Sequence, residues 1–402
     1  MAASALSGFK VVEWAHFIAG PYCAKLLADM GAEVIKVEEP PAGDEARRHG
    51  PFPGDLPHPE HSGLFLSCNT NKLGITLDPH KATGRQIFLR LLSQADVLIE
   101  DNPPLILNES HLDYEALAAV NPRLVVTSIT PFGQTGPYRD YRAYYLNLFH
   151  GSGRGYLMPH DSPNLEREPV KAGTFLGEFE SGLSAAVATL GALYARYATG
   201  VGQHVDVSKQ EAFMALERVE IGKYPNEGSS SQRASGRRMF GGLMPCADGY
   251  VEIAVAQDKQ WRGLCDLMGH PEWTKEERCR TEQLRSQNVD DLVPLLAEWV
   301  AQQPRDRLFH EGQARGAAVG AVYTAEDVVN SPQLAARAFF FEMEHPKVGR
   351  VKMPSAPYKM SKTPWRLGRV APEVGQHNDE IYGGRLGLSR QELARLREVG
   401  VI

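Results

Sequence analysis

The stretch FKVVEWAHFIAGPYCAKLLADMGAEVIKVE, residues 9–38, decides the fold. Its ends, residues 9–14 (FKVVEW) and 33–38 (EVIKVE), predict two short buried strands. Residues 21–30 predict a helix between them, because Pro21 suits the first helical position and Gly31 follows the last turn. Such a crossover places the two strands parallel in one sheet.

The same strand–helix alternation continues along the chain. Further strands are predicted at residues 74–78, 97–100, 124–129 and 204–208, and helices at 80–94, 113–120 and 181–198. This alternation predicts a doubly wound parallel sheet. The segment HFIAGP after the first strand lacks the G-x-G-x-x-G pattern, which disfavours a nicotinamide or flavin dehydrogenase. The helix over 181–198 has a face of small residues on which another backbone can pack closely.

Composition narrows the class of protein. A length of 402 residues favours two domains, and a net charge of -6 disfavours a nucleic-acid-binding surface. No apolar run predicts a membrane span and the first residues do not resemble a signal peptide, so we expect a cytoplasmic protein. The five cysteines (Cys23, Cys68, Cys246, Cys265, Cys279) are scattered, which predicts buried, reduced thiols and no structural zinc site.

The predicted organisation is a large domain interrupted by a smaller one. The large domain spans residues 1–224 and is completed by a return segment over 345–402. The first part of that return segment, 345–370, is predicted to be an extended connection. The small α/β domain spans 240–330 and follows a Gly-, Ser- and Arg-rich linker over 225–240. Asp258 and Ser389 are predicted to cap the first helix of the small domain and the last helix of the chain.

Seven ordered phrases of this sequence resemble those of the class III CoA-transferases, the formyl-CoA transferase and carnitine CoA-transferase family. They are AGPYCAKLLADMGAEVIKVE (19–38), NTNKLGITLD (69–78), ADVLIED (95–101), TPFGQTGPYRDY (130–141), SGLSAAVATLGALYARYATGVGQHVDVS (181–208), DGYVEIAV (248–255) and APEVGQHNDEIY (371–382). The resemblance implies an α/β fold with a Rossmann-like large domain, a smaller inserted α/β domain and an interlocked dimer. It also implies that coenzyme A binds in a cleft of the large domain as a substrate, with no tightly bound cofactor and no metal.

In the family that this sequence resembles, an aspartate attacks the acyl-CoA thioester, and it lies four residues before the glycine that opens the small-residue helix. Here that glycine is Gly182 and the earlier residue is Glu178. Glutamate has a similar intrinsic pKa but one more methylene group, and an error of about 1 Å in position can cost roughly 100-fold in rate. Two interpretations stay open: Glu178 is a working nucleophile, or it only offsets the positive end of the following helix.

The resemblance also implies the residues that contact CoA. They are Ile18, Ala19, Asn71, Lys72, Asp101, Asn102, Arg142 and Tyr144. One position departs from the pattern, because Glu109 stands where the family has an arginine near the phosphates of CoA, and a carboxylate there is repulsive. Other interpretations stay open: Glu109 points to water, or the register of this comparison is off by one helical turn. Separately, Arg142 is a candidate for a solvated surface residue.

Three further positions bear on the chemistry. Related racemases have a His-Asp pair where this chain has Tyr144 and Tyr145, neither of which is a plausible base near neutral pH, so racemase chemistry is disfavoured. Asp44 and Arg47 either shape the cleft or pair with each other at the surface. His16, in the first strand–helix turn, is expected to be a structural histidine.

Three hypotheses for function follow. The first is a CoA-transferase subunit that supports a homologous catalytic subunit, with succinyl-CoA as donor and an aromatic succinate such as (R)-benzylsuccinate as acceptor. The second is a homodimeric CoA-transferase in which Glu178 attacks. The third is a binding homologue without enzyme activity. The first two involve a homologous or identical partner chain, an acyl-CoA and a small carboxylic acid. None of the three involves nucleic acid or a membrane.

Overall fold

A computed structural model describes residues 4–159, 164–216, 218–233 and 240–402. The strands are β1 (Lys10–Trp14), β2 (Glu33–Glu38), β3 (Lys72–Thr76), β4 (Val97–Glu100), β5 (Val125–Thr130), β6 (His204–Ser208), β7 (Gly241–Cys246), β8 (Gly249–Ala254), β9 (Ala318–Val322), β10 (Phe340–His345) and β11 (Gly349–Pro354). The helices are α1 (Ala19–Asp29), α2 (Gly63–Cys68), α3 (Ala82–Leu92), α4 (Pro104–Glu109), α5 (Tyr114–Val120), α6 (Tyr145–Gly151), α7 (Leu176–Thr199), α8 (Lys209–Leu216), α9 (Arg218–Glu227), α10 (Asp258–Met268), α11 (Glu282–Gln287), α12 (Val289–Val300), α13 (Arg305–Arg315), α14 (Ala325–Val329), α15 (Pro332–Ala336) and α16 (Arg390–Glu398).

The predicted parallel sheet is confirmed. Six strands pair in the order β3-β2-β1-β4-β5-β6, and every pair is parallel. This is the strand order of one of the common doubly wound α/β folds. The order reverses direction at β1, so the carboxyl ends of β1 and β4 flank the crevice in which such folds bind ligands.

Alternating side chains of the strands build a core on each face of this sheet. Val11 and Val34 pack with α1 and α7 on one face. Val12 and Ile35 pack with α3, α5 and α16 on the other. The strands are therefore apolar on both faces, as a parallel sheet covered by helices on both sides requires.

The outer edge of β3 is closed by a segment three hundred residues away in sequence. His377 Nδ1 accepts the N–H of Gly74 at 3.0 Å, and Asn378 Oδ1 accepts the N–H of Thr76 at 2.9 Å. The hydroxyl of Tyr382 donates to the carbonyl oxygen of Thr76 at 2.6 Å. These side chains satisfy backbone groups that an edge strand would otherwise expose.

The chain divides into two compact units. One contains Met1–Tyr156, Val170–Ser231 and Ala338–Ile402, and the other contains Leu157–Pro169 and Gln232–Arg337. The second unit has a three-stranded antiparallel sheet, β7-β8-β9, and its own core of Val251, Trp261, Leu264 and Leu292 with other residues of α10, α12 and α13. None of the helices in the described part of the chain is long and apolar enough to cross a membrane.

Several local predictions need correction. The segment predicted as an extended connection, 345–370, begins inside an antiparallel hairpin, because β10 pairs with β11. Residues 225–227 of the predicted linker belong to α9, and its residues 234–239 lie outside the described part of the chain. Asp258 is the first residue of α10 rather than its cap, which is Gln257. The Ser389 cap of α16 is confirmed, since its side chain accepts the N–H of Glu392.

Candidate active site

The turn between β1 and α1 is held in an unusual conformation. Phe17 has a φ of 64°, in the left-handed region that bulky side chains rarely adopt. Asp44 Oδ1 accepts the N–H of Phe17 at 3.0 Å, and Asp101 Oδ2 accepts the N–H of His16 at 2.9 Å. Two carboxylates therefore fix two successive backbone amides of this turn, at the carboxyl edge of the sheet. Strain of this kind persists where the surroundings over-determine the backbone, often at functional sites.

Helix α7 begins beside this turn. A Cβ atom on Gly182 would lie 2.5 Å from the carbonyl oxygen of Ala19, so only glycine lets α7 approach the start of α1 this closely. The rings of Phe17 and Phe175 are 4.9 Å apart, edge to face. Of the predicted small-residue face of this helix, Ala185 and Ala192 are buried, whereas Ala188 and Gly191 are exposed, so only part of that face packs closely. The contact at Gly182 brings the first turn of α7 to the turn of residues 15–18.

Glu178 lies in that first turn of α7 and is only 3% exposed. The ammonium group of Lys209, the first residue of α8, donates to Glu178 Oε2 at 2.8 Å. Burial alone would lower the pKa of Lys209, but the carboxylates of Glu178 and Asp101 outweigh burial and raise it. Lys209 is therefore a cation at neutral pH. Lys209 was not among the site residues predicted from the sequence. Its one signal is its position directly after β6, at the carboxyl edge of the sheet.

His16 faces Asp101 as well. His16 Nδ1 lies 3.1 Å from Asp101 Oδ1. Burial lowers the pKa of His16, but Asp101 more than compensates and raises it to about 9. The ring is thus protonated near neutral pH, and it is held by a residue predicted to contact CoA. Each carboxylate oxygen of Asp101 bonds to His16, one through the ring and one through the backbone.

A buried network of charges supports the turn from within the sheet. Lys36 lies 2.6 Å from Asp44 and 2.8 Å from Glu13, and Lys72 lies 2.6 Å from the other oxygen of Glu13. All four side chains are fully buried. Burial, only partly offset by Glu13, lowers the pKa of Lys72 to about 8. Lys72 thus has a structural role in this network, whatever its part in CoA binding.

The surface pairing considered for Asp44 and Arg47 is wrong. Both side chains are buried, and they bind different partners. Asp44 pairs with Lys36, whereas the guanidinium group of Arg47 pairs with Glu38 at 2.7 Å and with Glu60 at 2.8 Å. The segment that carries both residues is therefore anchored to β2.

Of the predicted CoA contacts, the structure brings Ile18, Ala19 and Asp101 together around the strained turn. Asn102 follows directly after Asp101 and is largely buried. Asn71 lies at the opposite, amino-terminal edge of the sheet, where its Oδ1 accepts the N–H of Gly368 at 2.7 Å.

The remaining predicted positions are at the surface. Arg142 and Tyr144 lie just before α6 and are exposed, Tyr144 to 71%. Glu109 is the last residue of α4 and is exposed, which fits the interpretation that it points to water. Burial raises the pKa of Tyr145, so this phenol is a poor base near neutral pH.

The cysteines are free thiols, and all but Cys246 are buried, as predicted. Burial raises the pKa of both Cys23 and Cys68 to about 12. These thiols stay protonated at neutral pH and are poor nucleophiles. Cys23 and Cys68 are therefore poor candidates for attack on an acyl group.

The buried carboxylate of Glu178 lies at the carboxyl edge of a doubly wound sheet, where such folds bind their ligands. The family model of CoA-transferase family III matches residues 6–378, and the chain belongs to this family. It is accordingly a CoA-transferase, with acyl-CoA compounds as substrates.

Individual relatives align with nearly the whole length of this chain. A succinyl-CoA--D-citramalate CoA-transferase from Chloroflexus aurantiacus is 33% identical, over 99% of this chain and 98% of its own. A succinyl-CoA--L-malate CoA-transferase alpha subunit from the same organism is 31% identical, over 99% of this chain and 92% of its own. The crystal structure of a CAIB/BAIF family protein from Brucella suis has a TM-score of 0.84 at 33% identity and covers 95% of this chain and 99% of its own.

Proposed function

We propose that this chain is a cytoplasmic subunit of a CoA-transferase that moves CoA from succinyl-CoA to a small carboxylic acid. A homologous subunit, interlocked with this one, supplies the reacting aspartate. The names of two relatives support succinyl-CoA as donor, and one of these relatives is an alpha subunit. Buried free thiols support the cytoplasmic location. An aromatic succinate such as (R)-benzylsuccinate is the first acceptor to test, beside citramalate and malate.

The main observation in favour of a supporting, non-catalytic subunit is the ion pair of Glu178 and Lys209. A carboxylate attacks a thioester through a lone pair, and the ammonium group 2.8 Å from Oε2 stabilises that anion in its resting state. Both side chains are largely buried, so freeing the carboxylate would leave two unpaired charges in a poorly solvated site. The extra methylene group of glutamate also shifts the oxygen atoms away from the position that an aspartate would give them. Together these effects raise the barrier to attack.

A second candidate is a homodimeric enzyme in which Glu178 attacks by itself. The carboxylate would add to the thioester carbonyl and expel CoA thiolate, which leaves a mixed anhydride. The thiolate would then attack the Glu178 carbonyl carbon, release the donor acid and form a glutamyl-CoA thioester. One observation favours this candidate: the cation of Lys209 lies where it could stabilise an oxyanion on the carbonyl group of Glu178.

Co-expression separates the two candidates. The chain is purified alone and together with a homologous chain that has aspartate at the nucleophile position, and CoA transfer from succinyl-CoA is measured. The variant Glu178→Gln is compared with Glu180→Gln, a matched change in the same helix whose partner is Arg154 instead. The proposal expects activity only from the mixture, and about equal activity from both variants.

Full activity of the chain alone contradicts the supporting role. If Glu178→Gln, but not Glu180→Gln, then abolishes that activity, and hydroxylamine traps an activated acyl group on Glu178, the second candidate is correct. Activity of the chain alone that survives Glu178→Gln contradicts both candidates.

A further inference from the structure

The outward side of helix α7 is an exposed apolar surface. One side of this helix packs against the sheet and α1 and belongs to the core on that face. The opposite side exposes four large apolar side chains: Leu183 to 53%, Val187 to 64%, Tyr194 to 79% and Tyr197 to 77%. Single exposed apolar residues are normal at a protein surface, but a contiguous group of them marks an interaction site.

This outward side lacks the charges that a solvated helix surface normally carries. Arg196 is the one charged residue of positions 181–199 in the sequence. Its side chain is buried, and its guanidinium group donates to Asp96 Oδ1 at 2.8 Å. A helix at a protein surface typically presents charged and polar residues opposite its apolar side, whereas a helix that is apolar all round is buried. We therefore expect another molecule to cover the outward side of α7.

The large residues of this side have the spacing of a coiled-coil seam. They follow one another at intervals of four, three, four and three positions, and we call them the α7 seam: Leu183, Val187, Leu190, Tyr194 and Tyr197. Alternating intervals of three and four keep such residues in line along the path on which a second helix packs. Beside the seam, Ser184, Ala188 and Ala195 are small, so a second helix can approach closely. The seam therefore fits another helix.

The same spacing makes the α7 seam complementary to a second copy of itself. Counted from Leu190, the other seam residues lie three and seven positions before it, and four and seven positions after it. Two α7 helices that run antiparallel about a two-fold axis near Leu190 would therefore bring Leu183 against the partner's Tyr197. They would likewise bring Val187 against the partner's Tyr194. An aliphatic side chain then faces a tyrosine at each contact, and helix ends of opposite partial charge lie side by side.

We propose that two copies of this chain pair through the α7 seam, with their α7 helices antiparallel across a two-fold axis. A two-fold pair uses the same patch on both chains, as the symmetric spacing allows. Tyr194 and Tyr197 together expose roughly 300 Å² per chain, a large part of the about 800 Å² that a standard interface buries on each partner. The seam is thus the apolar centre of the interface, and the residues around it form the rim.

A membrane is a poorer occupant of this surface. Helices that lie on membranes carry lysine or arginine residues on their polar face, and the one such residue of positions 181–199, Arg196, is buried against Asp96. An unrelated helical protein would not require the symmetric spacing about Leu190, whereas a second copy does. The proposal concerns pairing alone, so it holds for either role of Glu178.

Sedimentation velocity of the full chain, without any homologous subunit, tests the surface. We expect a dimer, and a dimer dissociation constant roughly 100-fold higher for Val187→Glu, because each chain then places an unpaired carboxylate in the apolar seam. Val399→Glu is the matched control, since it makes the same change at a valine that is 61% exposed and lies outside α7. It should leave the dissociation constant unchanged. Circular dichroism verifies that both variants are folded.

Cross-linking tests the direction of the two helices and needs no variant that dissociates. Chains with Leu183→Cys and chains with Tyr197→Cys are co-expressed with different tags and treated with a short bismaleimide. In the antiparallel pair these two positions are adjacent, whereas two copies of position 183 lie roughly 21 Å apart along the helix axis. We expect the mixed product, and no product of Leu183→Cys with itself above the background of the unmodified chain.

Three outcomes would overturn the proposal. The first is a chain that is monomeric by itself, even where a homologous subunit then binds it. The second is a dimer that Val187→Glu and Val399→Glu leave equally stable, and the third is self-cross-linking of Leu183→Cys without the mixed product. Because these measurements use the chain alone and no enzyme activity, their outcome is separate from that of the co-expression experiment on function.

Discussion

Glu178 and Lys209 form a largely buried ion pair at the carboxyl edge of the sheet, and each charge compensates the other. Replacing Lys209 by Met keeps much of the side-chain length but leaves a buried carboxylate without a partner. Breaking one side of a buried ion pair costs about 3 kcal/mol, so Lys209→Met should lower the free energy of unfolding by about that amount. Urea denaturation followed by circular dichroism measures the change.

The double variant Glu178→Gln, Lys209→Met provides the control. Because it removes both charges, it should be less destabilised than the sum of the two single variants by about 1 kcal/mol or more, on the order found for contacting residues. Strict additivity would mean that the two side chains do not interact in solution.

The pair of His16 and Asp101 predicts a dependence of stability on pH. The pKa of His16 is about 9 in the folded chain, against 6.5 for a solvated histidine of the unfolded chain. A raised pKa contributes stability that is fully present below pH 6.5 and disappears as pH rises through 9. The difference in free energy of unfolding between the unmodified chain and Asp101→Asn should therefore be largest near pH 6 and shrink towards pH 9.5. A difference that does not change over this range would contradict the charged pair.

The residues of the site differ in how far the sequence predicts them. Glu178 was found because it lies at a fixed distance from Gly182 in a recognisable helix. Lys209 was missed because it meets Glu178 only when β6 and α7 come together, and thirty-one positions separate the two residues in sequence. Asp44 and Arg47 were noticed, but their partners on β2 could not be inferred, since opposite charges nearby in sequence also suggest a direct pair.

At the scale of elements, the contact between α1 and α7 rests on one glycine. Gly182→Ala would place a methyl group 2.5 Å from the backbone oxygen of Ala19, so the helices must separate. Overpacking of this kind costs typically about 1–3 kcal/mol, and thermal unfolding should show the loss as a lower melting temperature. Gly191→Ala in the same helix is the control, because its Cβ meets nothing within 4 Å and alanine favours the helix by up to about 1 kcal/mol. Equal effects of the two changes would contradict the proposed packing.

Most elements of the large unit were predictable because their signals are local. The bounds of β2, β4 and β6 agree with the prediction, since each is a short stretch with β-branched or other apolar residues that ends at a change of local pattern. The hairpin of β10 and β11 was not predicted because residues 345–370 are rich in Pro and Lys and each strand exposes much of one face. The register of the hairpin depends on which residues pair across the two strands, and the residue pattern along one strand does not show this.

At the scale of the whole molecule, the sequence predicts the helix-covered parallel sheet but not what covers the outer edge of β3. Alternating strands and helices require a covered parallel sheet, and the observed order satisfies that requirement. The partner of the outer edge of β3 was not predictable, because His377, Asn378 and Tyr382 reach it through side chains rather than through another strand. The motif of residues 371–382, noticed for its resemblance, thus has a structural role in this chain.

The second unit should fold by itself. All residues of its main core come from positions 240–319, and at about 100 residues a fragment can support an independent core. A fragment of residues 240–337 should therefore unfold cooperatively on heating and give a dispersed amide NMR spectrum. Leu292→Asp, which puts a charge at a fully buried core position, should abolish both signals. A fragment without a cooperative transition would contradict this prediction. It would show that the core of this unit is stable only when the rest of the chain is present.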